Sequence, residues 1–404
     1  MSKTPKLRFK EFSGDWESNK LKELCSDFIV PMRDKPQVFD GNIPWCRIED
    51  IEGKYLNGTK SNQYVSKETV DNMNLKVNPT GTLICSCSAA IGNNAITTTP
   101  LITNQTFIGL VCENVNNEYL YYLMGTQKRN LEKIAGGTTI PYISRKKFEE
   151  FNVIVPTIKE QEKIASFFSL IDDKISLQGE KVEALKDYKK GMMQKIFSRE
   201  LRFKDDEGRD YPEWEEKKLG DIANLTSSKR VFASDYVDEG IPFYRGKEIT
   251  ELKQNKKPND ILYITQEKYD DIKNNFGIPV KGDLLLTAVG TLGNSYVIKD
   301  DNPFYFKDGN LIWFKDIKED VNFLNFILTS EKGQKKIIDS AIGSTQKALT
   351  IVELNKLKYE FPSLKEERKI AKFLNGLESK VMKEQEKLDF LNEYKKGLLQ
   401  QMLV

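Results

Sequence analysis

The chain has 404 residues, 30% of them charged, with 62 lysines and arginines against 60 aspartates and glutamates. That length exceeds one ordinary core and points to two domains or more, while a net charge of +2 gives no global pull toward polyanions, so any nucleic-acid surface must be a local patch. There is no histidine, which excludes histidine general bases, Ser-His-Asp and Cys-His machinery, and histidine-ligated metals.

The opening "MSKTPKLRFKEF" has no apolar run, and no stretch of about 18 apolar residues follows it, so neither a secretory signal nor a membrane span is expected and a cytoplasmic location follows. Residues 1–155 mix short β-branched and aromatic runs with Gly, Pro and Asn turn signals, which predicts an α/β or mixed β domain with a curved sheet, α/β being the fold class expected for the chain. The five cysteines, Cys25, Cys46, Cys85, Cys87 and Cys112, are an odd number confined to this part, and are expected to be reduced thiols. A helix is predicted over 156–198, a second mixed domain over 199–361, and a final helix over 362–404.

The second half answers the first. At an offset of 206, positions 156–196 align without a gap to 362–402 and are identical at 16 of 41 places, "YKKG" at Tyr188 and Tyr394 among them. Upstream, "IPWCRIEDI" from Ile43 answers "IPFYRGKEI" from Ile241, and "GTLICSCSAAIGN" from Gly81 answers "GDLLLTAVGTLGN" from Gly282. "GTTIPYISRKKF" from Gly137 answers "GSTQKALTIVEL" from Gly343. The chain is two copies of one unit, a globular segment followed by a long helix.

Both helices carry a heptad stripe. In the first, Ile164, Ile171, Gln178, Leu185 and Met192 occupy one seam position, and Phe168, Ile175, Val182, Lys189 and Ile196 the other. The second offers Ile370, Leu377, Glu384, Leu391 and Leu398 with Leu374, Val381, Leu388, Lys395 and Met402. The polar breaks coincide between the copies, as register-fixing residues would. A helix of roughly 40 residues spans about 60 Å at 1.5 Å per residue. The expected covering for each stripe is the other helix, as an antiparallel coiled coil with pseudo-twofold symmetry.

The helix entry "P-x-x-x-E-[QE]-x-K-I-A-x-F" at Pro156–Phe167 and Pro362–Phe373, the "W…KL" openings at Trp16 and Trp214, the "G-[TS]-T" turns and the two-copy layout together resemble the specificity subunit of type I restriction-modification systems over essentially the whole length. One departure is Glu367, where the family commonly has glutamine, as at Gln161; at a solvated helix start the change should be tolerated. The resemblance implies two target-recognition domains, each reading one half of a bipartite double-stranded DNA sequence, with the helices as a ruler between them. It implies two modification subunits forming an adenine methyltransferase that uses S-adenosylmethionine, and two restriction subunits adding ATP- and Mg-dependent cleavage. The specificity subunit itself is non-catalytic and binds no cofactor.

The residues supply little chemistry of their own. "DNPFY" at Asp301–Tyr305 resembles an adenine-holding methyltransferase motif but lacks its second proline and the glycine-rich turn that should precede it, so it reads as a turn. "AVGTLGN" lacks the Gly-Lys-Ser/Thr ending of a phosphate loop. Cys85 and Cys87 lack a second pair for a metal, and the repeat places Leu286 and Ala288 at the matching positions, so they read as strand-core residues. The rival functions are a stand-alone adenine methyltransferase, which S-adenosylmethionine binding by the isolated chain would reveal, and a coiled-coil protein scaffold, which would not bind duplex DNA.

Candidate DNA contacts are basic and polar residues in turn-rich parts: Arg33, Lys35, Arg47, Lys60, Thr138, Thr139, Arg145, Lys146 and Lys147 in the first domain. In the second they are Lys229, Arg230, Arg245, Lys247, Lys253, Ser344, Thr345, Gln346 and Lys347. The repeat puts arginine at both 47 and 245, which suits phosphate positioning or a structural role; base readers belong where the copies differ. The ends "KDYKKGMMQKIF" and "NEYKKGLLQQML", the most similar helix segments, suggest two identical partners, with Met192, Met193, Leu398 and Leu399 as docking residues.

Overall fold

A computed structural model describes residues 4–137, 139–343 and 347–404. The chain divides into two units, Met1–Gly179 with Glu386–Val404, and Glu180–Gln385.

In the first unit a five-stranded sheet runs in the order Cys25–Ile29, Phe107–Cys112, Leu83–Ser86, Asn94–Thr97 and Tyr55–Leu56. Its neighbours are antiparallel except the last pair. All four residues of Leu83–Ser86 are buried, so this central strand is covered on both faces, and its one polar side chain, Ser86, donates to the Ser88 carbonyl at 2.6 Å. A three-stranded sheet, Tyr64–Val65, Ile43–Cys46 and Ile102–Thr103, stands beside it. Strand Glu17–Lys20 pairs antiparallel with Asn152–Val155, which brings the start of the domain beside the helix entry.

The second unit repeats this plan. Asn224–Thr226, Leu311–Lys315, Leu284–Thr287 and Ser295–Val297 form one sheet; Tyr236–Val237, Leu262–Ile264, Ile241–Tyr244 and Tyr305–Phe306 form the other. Strand Glu215–Lys218 closes on Lys358–Phe361. Even the packing of the aromatic core is duplicated: Trp16 meets Tyr119 edge-on at 6.3 Å, and Trp214 meets Phe323 edge-on at 5.8 Å. The architecture is mixed α/β, with two tandem domains each followed by a long helix.

The helices span Ile158–Phe197 and Leu364–Met402. In the first unit Ile164, Ala165 and Phe168 share a core with Leu398, Met402 and Leu403, and Lys395 forms an ion pair with Asp172. In the second, Ile196 and Phe197 share a core with Ile370, Ala371 and Leu374, Lys189 pairs with Glu378, and Lys181 pairs with Glu384 at 3.0 Å. Partner numbers fall as helix numbers rise there, so those two segments run antiparallel. Every seam residue is buried or half-buried, including Ile171, Ile175, Gln178, Val182, Leu185, Met192, Leu377, Val381, Leu388 and Leu391.

Each helix entry is anchored by carboxylates that have been taken out of water. Arg8 grips buried Glu160 through two bonds of 2.8 Å, and Arg202 grips buried Glu366 at 3.0 and 3.4 Å. The next residue corrects the expectation for Glu367. It is 0% exposed, because the loop before helix Val321–Thr329 docks on it: its Oε2 accepts the Asp320 N–H at 2.7 Å. At the matching place Gln161 Oε1 accepts the Asn116 N–H at 2.9 Å, while its Nε2 donates to the Pro156 carbonyl at 2.8 Å. As a carboxylate Glu367 has no donor for that second bond, and its Oε1 has no hydrogen-bond partner in its buried place. Burial, above all, pushes its pKa up to about 8, with Glu319 adding to the rise.

Candidate nucleic-acid interface

In both domains a turn is fixed beside the central strand in the same way. Gly136 and Tyr142 exchange backbone hydrogen bonds at 2.9 and 2.8 Å, and the Ile143 N–H donates to the Cys87 carbonyl. In the second domain Ile342 and Ala348 exchange bonds at 3.0 and 2.9 Å, and the Leu349 N–H donates to the Ala288 carbonyl. Gly137 at φ 106° and Gly343 at φ 114° open the two turns. A Cβ at Gly137 would lie 2.6 Å from the Ile140 carbonyl oxygen, so the turn requires glycine on both conformational and steric grounds. Thr138, Ser344, Thr345 and Gln346 lie outside the described residues.

Around the first turn stand Arg33, Thr139, Arg145, Lys146 and Lys147, all exposed. Arg33 lies near Tyr142; burial raises the Tyr142 phenol above its ordinary pKa, and this guanidinium opposes the rise. Arg145 is held by Glu149 at 2.7 Å and Asp27 at 3.5 Å, and Lys147 donates to the Ile134 carbonyl. The other candidates are spread along the smaller sheet: Lys35 lies over the Trp45 ring at 5.5 Å and Lys60 pairs with Glu52 at 2.5 Å. Beside the turn, a groove of about 340 Å³ is lined by Ala89, Ala90, Ile91, Lys128, Glu132 and Pro141. Ala89 takes a left-handed φ of 56° there, where the repeat has Gly290 at 78°; non-glycine residues held so tend to mark functional sites.

In the second domain Lys347 and Lys247 are exposed, Lys229 lies over the Phe276 ring at 4.8 Å, and Arg230 pairs with Asp308 at 2.9 Å. A groove of about 630 Å³ joins Arg245, Lys247, Gln254 and Lys256 to Thr291 and Asn310. Gln254 and Lys256 escaped the sequence reading because nothing local distinguishes them from solvated polar residues; only the fold brings them to this wall. The same holds for Lys186, Lys190, Lys332 and Lys335, which line a groove of about 980 Å³ along the helix.

One arginine turns out to hold the fold. The Arg245 N–H and its Nη2 both donate to fully buried Glu248, at 2.7 and 2.6 Å, so of the two roles open to it the structural one fits. Arg47 shares only the backbone part of this arrangement, its N–H donating to buried Asp50 at 2.6 Å, while its guanidinium pairs with Glu49 at 3.0 Å. Lys253 requires a correction. It is half-buried, donates to Asn294 at 3.2 Å, and has its pKa lowered by burial, with Lys189 contributing. It faces the helix rather than solvent, which removes it as a DNA contact.

The absent chemistry has physical counterparts. In "DNPFY", Tyr305 is buried in a hydrophobic cluster and its hydroxyl accepts the Lys229 N–H at 2.7 Å, so this ring is not free to hold a base. Cys85 and Cys87 are buried core residues; burial raises both thiols, Cys87 to about 11. Among the described residues no group of three or more Cys, Asp or Glu side chains could hold a metal ion. No helix among them is long and apolar enough to cross a membrane.

The described residues thus form two copies of one α/β domain, each with exposed basic residues. The sequence matches the family model "Type I restriction modification DNA specificity domain" over residues 13–187 and 211–393, and the chain belongs to that family. It is therefore a specificity subunit that recognises DNA sequence and is not itself the catalyst. The MjaVIII specificity subunit of Methanocaldococcus jannaschii is 26% identical over 98% of this chain and 95% of its own length. The MjaIX specificity subunit of the same organism is 29% identical over 58% of each chain, so the match spans little over half of that relative. In fold, the chain is similar to the type I S subunit from M. genitalium, with a TM-score of 0.60 and 18% identity over 99% of both chains.

Proposed function

We propose that the chain reads a bipartite duplex DNA sequence, one half-site per globular domain, and directs adenine methylation or restriction by partner subunits. In this reading two modification subunits and two restriction subunits assemble on it, and S-adenosylmethionine, ATP and Mg are used by those partners. The observation that carries the reading is the duplicated turn. Gly137 and Gly343 open it at equivalent places on the same strand framework, but the following residues differ, Ile140-Pro141 against Gln346-Lys347. Similar frameworks that carry different residues after the glycine suit two readers of different sequences.

The partner surface needs revision. Leu398 belongs to the first core, and Leu399 and Met193 pack against the two cores, while Met192 is half-buried; these residues are occupied within the chain. Tyr188 and Tyr394 are repeat equivalents and stay 53% and 49% exposed, which suits one partner type docking twice. Mapping methylated adenines in cells carrying this subunit with its modification partner tests the whole reading. A bipartite motif with an unread gap is expected; a single continuous motif would overturn the two-reader reading.

A further inference from the structure

Ile140 is the most exposed large apolar side chain of the first globular domain, at 65%. It does not lie on a slack loop. The turn is closed by the reciprocal Gly136–Tyr142 bonds and tied to the central strand through Ile143. Gly137 admits no side chain against the Ile140 carbonyl, and Pro141 fixes the following φ. A β-branched residue with few rotamers, set between a backbone closure and a proline, loses little entropy when it makes a contact.

The surroundings indicate what it contacts. Arg33, Arg145, Lys146 and Lys147 are exposed nearby in the chain or in space, and Lys128 lines the groove that Pro141 borders. That charge favours a polyanion over an apolar protein partner. On duplex DNA an aliphatic tip among exposed cations has one distinctive target, the C5-methyl group of thymine in the major groove. The equivalent position in the second domain is Gln346, a residue type that reads adenine by hydrogen bonds, so the change between copies exchanges one kind of base reader for another.

Resting on the proposed DNA-reading function, we infer that Ile140 is a specificity-determining residue of the first domain that reads a thymine methyl group. The test uses the full chain assembled with its modification partner, and duplexes in which each thymine of both half-sites is replaced singly by deoxyuridine. Wild type should lose about 3- to 10-fold in affinity at one thymine, the scale of one buried methyl contact. Ile140→Ala should bind the all-thymine duplex correspondingly less tightly and be indifferent to deoxyuridine at that position, with Ile140→Val intermediate. The inference is overturned if no thymine responds, if Ile140→Ala keeps the wild-type thymine response while weakening all duplexes alike, or if it abolishes assembly instead of selectivity. Absence of any sequence-specific binding by the wild-type complex is a different result, and would overturn the DNA-reading function itself.

Discussion

At the scale of single residues, Glu367 carries a pH dependence that its counterpart Gln161 cannot. Its carboxyl is raised to about 8 in the folded chain against about 4.3 when unfolded, so between those values the folded state binds more protons. Its contribution to stability is then full below the unfolded pKa and falls as pH rises through the folded one. Glu367→Gln supplies the missing donor toward Pro362 and removes the buried charge. It should stabilise the second domain by about 1–3 kcal/mol near pH 9 and by much less near pH 5, measured by denaturant unfolding at the two pH values. Equal gains at both would contradict the raised pKa.

The sequence did not disclose this burial, and the reason is general. The first turn of a charged helix looks solvated from its own residues, and only the distant loop at Asp320, which settles on it, makes Glu367 a core position. Lys253 escaped for the same reason, being covered by the helix side of the unit near Glu378.

At the scale of elements, the heptad stripe was legible because its signal is local and periodic, and all its members are at least half-buried. The docking residues were misassigned because apolar seam and apolar partner surface look alike in one dimension. The two sets now separate experimentally. Leu398→Ala should cost about 2–5 kcal/mol of stability, whereas Tyr394→Ala should change stability by less than about 0.5 kcal/mol and lower recovery of the modification subunit in co-purification. At the polar seam position, Lys189→Leu should be neutral or stabilising, since Glu378 remains half-exposed once unpaired and leucine suits the seam. A loss above about 2 kcal/mol in denaturant unfolding would show that the ion pair itself is needed.

At the scale of the whole molecule, the duplicated plan was legible from the repeat alone, down to the matching turns, while strand order and groove walls emerged only from long-range pairing. If the helices set the gap between half-sites, adding one heptad to both, after Gly179 and after Gln385, lengthens each by about 10 Å. The unread gap should then grow by about 3 base pairs, read from the methylation motif; an unchanged gap would separate the spacing from the helices.

The seam ion pairs have one more consequence, in the life of the gene. Lys189 with Glu378 and Lys395 with Asp172 are one interaction written twice, since 206 positions separate both the lysines and the acids. Recombination between the two helix-coding stretches would excise one period and leave a half-length product carrying both a lysine and its acid at the right heights. Two such products could satisfy each other as the two halves do now, so the locus could shed a specificity and regain one from elsewhere without ever losing the joint.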